Sequence, residues 1–203
     1  MKIEKVNKLL VLALAGVLAW CSYFTSPPGV FMRTAHTFLF LAAIPMIVLH
    51  AWGKKLPAYG MQLGDWRTGL KYSAILLLVA MPIMAYGAML GDFKLYYPEW
   101  KGALDSWWMF IAFEALVGVI MFSTEFFYRG FLLFSLKDKW WGNLVHSFVY
   151  MLVHIGKPWL EVPYSFFAGY AFGWVDLKTN SILPSFLMHF ISSVIFDLMV
   201  ILL

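Results

Sequence analysis

Glu125 and Arg129 lie four residues apart in the apolar stretch STEFFYRGFLLF, residues 123–134. On a helix that spacing puts both on one face, with the acid nearer the N-terminus, the order that favours pairing. An ion pair makes two charges tolerable in apolar surroundings, so a structural role and a chemical one both fit this pair taken alone. Other polar residues in apolar segments shift the balance towards chemistry. His146 and His154 fall in one such segment, and His189 falls in another, with Ser193 one helical turn later. For any one histidine a hydrogen-bonded core position is the ordinary reading. A carboxylate with histidines from two other segments can activate water by general base catalysis, and a hydroxyl can donate to a developing oxyanion.

The elements that hold these residues are set by composition. The chain has 203 residues, of which 62% are hydrophobic and 13% charged, with a mean hydropathy of +0.76. Soluble domains carry about twice that share of charge. Several windows exceed the roughly 18 apolar residues that span a bilayer, and the apolar runs are continuous rather than alternating. Only helices and closed barrels satisfy every backbone group in lipid. The expected fold is therefore all-α: one polytopic transmembrane bundle of about seven helices, forming a single integral membrane domain over 1–203. The expected segments cover 9–24, 30–52, 68–90, 106–136, 140–156, 163–176 and 181–203, with the chemistry confined to about 106–203. The first resembles a secretory signal in length, but its cleavage pattern is poor and Trp20 precedes Cys21, so it reads as a helix. No internal repeat or low-complexity tract interrupts the series.

Charge fixes an expected orientation. Lys2, Lys5 and Lys8 precede the first segment. Lys54, Lys55 and Arg67 follow the second, Lys137 and Lys139 the fourth, and Lys178 the sixth. The alternate connections hold Asp92, Lys94, Glu99, Lys101, Asp105, Lys157 and Glu161. The positive-inside rule places the N-terminus in the cytoplasm, most simply at the cell membrane. The net charge of +4 is spread over helix ends, and no basic run reaches five residues, so nucleic acid is not an expected partner. The single cysteine, Cys21, excludes an internal disulfide.

At about 1.5 Å per residue, Glu125 lies roughly 16 Å, His154 about 21 Å and His189 about 12 Å from the cytoplasmic ends of their segments. These depths allow the three to meet in one cavity near mid-bilayer. Glu161 reaches the rim of such a cavity from the loop after His154, although an interfacial place beside Lys157 is the simpler expectation. Glu114 lies about 16 Å along the helix from Glu125, too far to share its step.

The motifs in this order resemble those of the CPBP family (CAAX proteases and bacteriocin-processing enzymes), intramembrane glutamic endopeptidases marked by EExxxR, FxxxH and HxxxN-like motifs. The counterparts here are Thr124-Glu125-Phe126-Phe127-Tyr128-Arg129, Tyr150-Met151-Leu152-Val153-His154 and His189-Phe190-Ile191-Ser192-Ser193. The resemblance runs from about Leu63 to Ser193, taking in Leu63-Gly64-Asp65-Trp66 and Gly169-Tyr170-Ala171-Phe172-Gly173. It implies an endopeptidase acting on a membrane-bound protein or peptide within the lipid bilayer, with no cofactor and no metal. It also implies that a glutamate and His154 activate water while His189 and its neighbour Ser193 polarise the scissile carbonyl. Thr124 stands where the family has its first glutamate, and Ser193 where it has asparagine. Glu125, oriented by Arg129, would then be the base. Two alternatives stay open: an inactive relative that binds hydrophobic or lipidated peptides, and a zinc protease built on the same Glu–His set, for which no HExxH is present.

Overall fold

A computed structural model describes residues 7–203. Lys2 and Lys5, used above for orientation, lie outside the described residues. Seven longer helices make up the fold: α1 (Lys8–Phe24), α2 (Val30–Ala51), α3 (Trp66–Met89), α4 (Trp107–Leu136), α5 (Gly142–Leu152), α6 (Glu161–Thr179) and α7 (Leu183–Leu202). The bundle is all-helical, as composition predicts. Local chemistry sets the helix starts. Asn7 caps α1 by accepting from Leu9 N–H at 3.0 Å, Asp65 caps α3 through Thr68 N–H at 3.2 Å, and Ser106 caps α4 through Met109 N–H at 3.3 Å. Each cap satisfies a donor that the first helical turn leaves unpaired. Asn180, in the left-handed region at φ 55°, ends α6.

Four helices, α2, α3, α4 and α7, are long and apolar enough to cross a membrane, and α1 is a shorter apolar helix of 17 residues. The protein is accordingly an integral membrane protein. Two of the expected segments differ from expectation. The fifth stops at Leu152, giving an 11-residue α5 about 16 Å long, roughly half a bilayer core. The next amides fold back by three residues, His154 N–H to Met151 and Ile155 N–H to Leu152, and Gly156 takes φ 98°. His154 therefore sits on the turn beyond α5 rather than within a membrane helix. The sixth carries Glu161, Asp176 and Lys178, too polar for a lipid-facing span.

α4 is the central pillar. Residues 126–134 are buried on every side of the helix, the pattern of a helix enclosed by others. α5 and α6 pack together and against the second half of α4, while α7 packs on α3, α4 and α6. Segments five and seven thus flank segment four as the site requires. Close approach of α5 and α6 depends on Gly173, where a Cβ would lie 2.2 Å from Asn143 Oδ1 and 2.5 Å from His146 Cε1. At the end bearing Lys54, Lys137 and Lys178, the connections are tied together: Asp65 N–H donates to Thr179 O at 2.9 Å and Ile182 N–H to Gly60 O at 3.0 Å. Gly64 is required there, since its φ is 55° and a Cβ would meet Thr179 O at 2.1 Å. Lys8 and Asp138 form an ion pair at the same end. The opposite end carries the ion pairs of Arg33 with Glu99 and of Lys157 with Glu161.

Candidate active site

Glu125 closes the regular part of α4. From Phe126 to Leu133 the backbone widens to π-helical hydrogen bonding, a local expansion common at functional sites. Both carboxylate oxygens of Glu125 are engaged. Oε2 accepts from the Arg129 guanidinium, and Oε1 accepts from His189 Nδ1 at 2.6 Å. Glu125 and Arg129 are both 0% exposed. The guanidinium carbon of Arg129 lies 4.8 Å from the Tyr150 ring centre and 5.0 Å from that of Phe172, so two aromatic faces take part of the solvation that water would provide. Asp176 of α6, fully buried, adds a second carboxylate to the field around Arg129 and accepts from Ser185 Oγ at 2.7 Å.

A cavity of about 700 Å³ opens beside this cluster, with all seven helices and the turn after α5 contributing to its wall. Its size suits an organic ligand or a stretch of peptide. Thr124, Tyr150, His154, Glu161, His189 and Ser193 all contribute to its wall, whereas Glu125 and Arg129 do not. Adjacent helical residues point about 100° apart, and α4 turns Thr124 towards the cavity and Glu125 into the protein. The sequence expectation of one cavity shared by Glu125, His154 and His189 holds for the two histidines and not for Glu125, which the rotation of α4 turns away from the cavity. His189 links Glu125 to the cavity, bonding it through Nδ1 and lining the wall. His154 is reached through Tyr150: the Tyr150 hydroxyl lies 3.4 Å from His189 Nε2, and the Tyr150 carbonyl accepts from His154 Nδ1 at 2.8 Å.

Glu125 is also not the carboxylate nearest His154 on the cavity side. Glu161 Oε1 lies 3.8 Å from His154 Nε2. The same oxygen accepts from Lys157 Nζ at 3.0 Å, and Oε2 accepts from the Tyr97 hydroxyl at 2.7 Å. Burial holds the Tyr97 phenol well above its ordinary range, so that hydroxyl keeps its proton and stays a donor. Lys157 in turn lies 3.6 Å from Glu99, whose other oxygen accepts from Arg33 at 2.9 Å. Both expectations for Glu161, the cavity rim and the place beside Lys157, describe where it sits.

His146 does not reach the cavity wall. It is fully buried, its Nδ1 donates to the Asn143 carbonyl at 2.9 Å, and it packs where α5 meets Gly173. Glu114 lies beside Asp197 of α7, away from Glu125. Among the described residues no group of three or more His, Cys, Asp or Glu side chains is arranged to hold a metal ion. Sequence reasoning missed Tyr97, Ser185 and Asp176. Asp176 alone left a signal, an acid inside a segment read as membrane-embedded.

Residues 104–195 match the family model described as Rce1-like, type II CAAX prenyl endopeptidase Rce1-like. This segment is Rce1-like. It runs from just before α4 into α7 and holds Glu125, Arg129, His154, His189 and Ser193, so the resemblance to CPBP endopeptidases is shown there. The Rce1-like segment starts later than the motif resemblance, which reached back to Leu63. The match supports a CAAX-type intramembrane protease in general terms. No curated protein and no solved structure matches the chain.

Proposed function

We propose that this protein is an intramembrane endopeptidase that hydrolyses a peptide bond in a membrane-associated protein or peptide held in the 700 Å³ cavity. The observation that carries this reading is the position of His189. Within the Rce1-like segment, one ring nitrogen bonds the enclosed Glu125–Arg129 pair and the ring lines the cavity. With Nδ1 donating to Glu125, the ring's orientation is fixed and Nε2 is presented beside the Tyr150 hydroxyl. The mechanism uses the ring with a hydrogen on both nitrogens, so that Nε2–H donates to the oxyanion of a tetrahedral intermediate. Ser193, one turn on, adds a hydroxyl donor. His154 accepts a hydrogen bond from the attacking water and orients it: its Nδ1 hydrogen is committed to the Tyr150 carbonyl, which leaves the Nε2 lone pair for water.

In this mechanism Glu125 is a positioning residue. Both of its oxygens are occupied and it is fully enclosed, so it acts on water only through His189. The residues used supply general acid–base and electrostatic catalysis without a metal. The distribution of lysines and arginines supports a cytoplasmic N-terminus and multi-pass insertion in the cell membrane. A second reading, an inactive relative that binds lipidated or apolar peptides, is favoured by Thr124 on the cavity wall where the family has a glutamate.

The test uses the full chain in lipid nanodiscs with quenched-fluorescence peptides, some carrying a prenylated cysteine near the C-terminus and some apolar and unmodified. The expected outcome is cleavage of at least one peptide, insensitive to chelators. His154→Ala or His189→Ala should lower kcat by about a hundredfold or more, and Ser193→Ala by about tenfold. A binder would retain peptide binding, show no cleavage, and be indifferent to His154→Ala.

A further inference from the structure

The cavity lacks a carboxylate from α4, because Thr124 faces it and Glu125 does not. His154 nevertheless has a carboxylate across from it. We infer that Glu161, at the start of α6, is the catalytic carboxylate that works with His154 to activate water, in place of the glutamate missing at position 124. The inference rests on the endopeptidase reading above and assigns its base.

Geometry carries the assignment. His154 Nδ1 donates to the Tyr150 carbonyl, so in the neutral ring Nε2 is an acceptor. Glu161 Oε1 is an acceptor too, and the two stand 3.8 Å apart. That is too long for a direct hydrogen bond, and two acceptors have no hydrogen to share. It suits one water about 2.8 Å from each atom, with one O–H directed to each. His189 and Ser193 line the same cavity as Glu161 and His154, so a scissile carbonyl held there is open to both. Glu161 is held for this role. Lys157 at 3.0 Å and Tyr97 at 2.7 Å fix its carboxylate, which still lines the cavity. The other carboxylates on the cavity wall have other partners: Glu99 is paired with Arg33, and Asp197 with Glu114.

The step balances within this pair. As the water oxygen bonds to the carbonyl carbon, one of its protons passes to Glu161 and the other stays hydrogen-bonded to His154 Nε2. The carbonyl π electrons move to the oxygen, which His189 and Ser193 stabilise. When the tetrahedral intermediate collapses, the C–N bond breaks and the proton on Glu161 goes to the departing nitrogen. The amine and the new carboxylic acid leave, and Glu161 and His154 return to their starting states.

The experiment compares wild type, Glu161→Gln and Glu161→Asp on the peptide panel described above. A reduced-amide analogue of a cleaved peptide reports binding. The expected result is a fall in kcat of about a hundredfold or more for Glu161→Gln, with reduced-amide binding unchanged. Glu161→Asp should retain part of the turnover. Glu161→Gln turning over at the wild-type rate overturns the inference and leaves the endopeptidase reading standing. Loss of turnover together with loss of reduced-amide binding also overturns it, because that outcome marks Glu161 as a structural residue of the rim. A wild-type protein that cleaves no peptide in the panel overturns both readings.

Discussion

Two acid–base clusters of like charge pattern, each a glutamate, a cation and a histidine, sit around Tyr150. Glu125, Arg129 and His189 form one, and Glu161, Lys157 and His154 the other. In each, acid and base are four residues apart and a histidine comes from elsewhere. They differ in enclosure. Both carboxylates are bonded on both oxygens, but the first pair is 0% exposed, while the second lines an open cavity and leaves a gap of 3.8 Å between Glu161 and His154. A sealed pair can hold a neighbour in place but cannot meet water, and an open pair can do so. Burial, rather than charge type, separates the enclosed glutamate from the one that faces the cavity.

The difference is sharpest in stability. Arg129→Met leaves Glu125 buried beside apolar surfaces without its cation, and removing one partner of a buried pair costs about 3–5 kcal/mol. The Glu125→Gln, Arg129→Met double variant should recover part of that loss. Glu161→Gln breaks a partly solvated pair and should cost no more than about 1 kcal/mol. Thermal unfolding in detergent checks the three. Equal losses for Arg129→Met and Glu161→Gln would break the comparison.

A smaller effect is expected where the clusters share a support. α6 carries Glu161 at its start and Asp176, close to Arg129, near its end. Gly173→Val forces a side chain against Asn143 and His146 and should destabilise by about 1–3 kcal/mol. Displacing α6 disturbs both clusters, so turnover should fall along with stability. A Gly173→Val protein with full stability would show that α5 and α6 can separate freely.

The smallest effect sharpens the comparison most. Thr124→Glu places a carboxylate on the cavity wall from α4. In the Glu161→Gln protein it should raise turnover by about tenfold, equivalent to about 1.4 kcal/mol of barrier. No recovery, in a protein that still binds the reduced-amide peptide, would show that position 124 no longer addresses His154.

Sequence alone determined the class of the molecule. Its apolar runs and missing charge require membrane helices because unpaired backbone has no partner in lipid. The i, i+4 spacing determined that Glu125 and Arg129 pair, since a helix places those side chains together whatever surrounds it. The order of the motifs likewise marked out the Rce1-like stretch. Only the tertiary structure decided which way each of these groups faces. Thr124 and Glu125 are neighbours in sequence, and the rotation of α4 within the bundle gave the cavity to one and the interior to the other. His154 looked like a membrane-helix residue until Gly156 and Pro158 ended α5 early. Glu161 looked like a rim residue until folding set it 3.8 Å from His154. Spacing within one helix is local geometry. Distance between α6 and the turn after α5 depends on packing through Gly173 and Tyr150, which no single segment encodes.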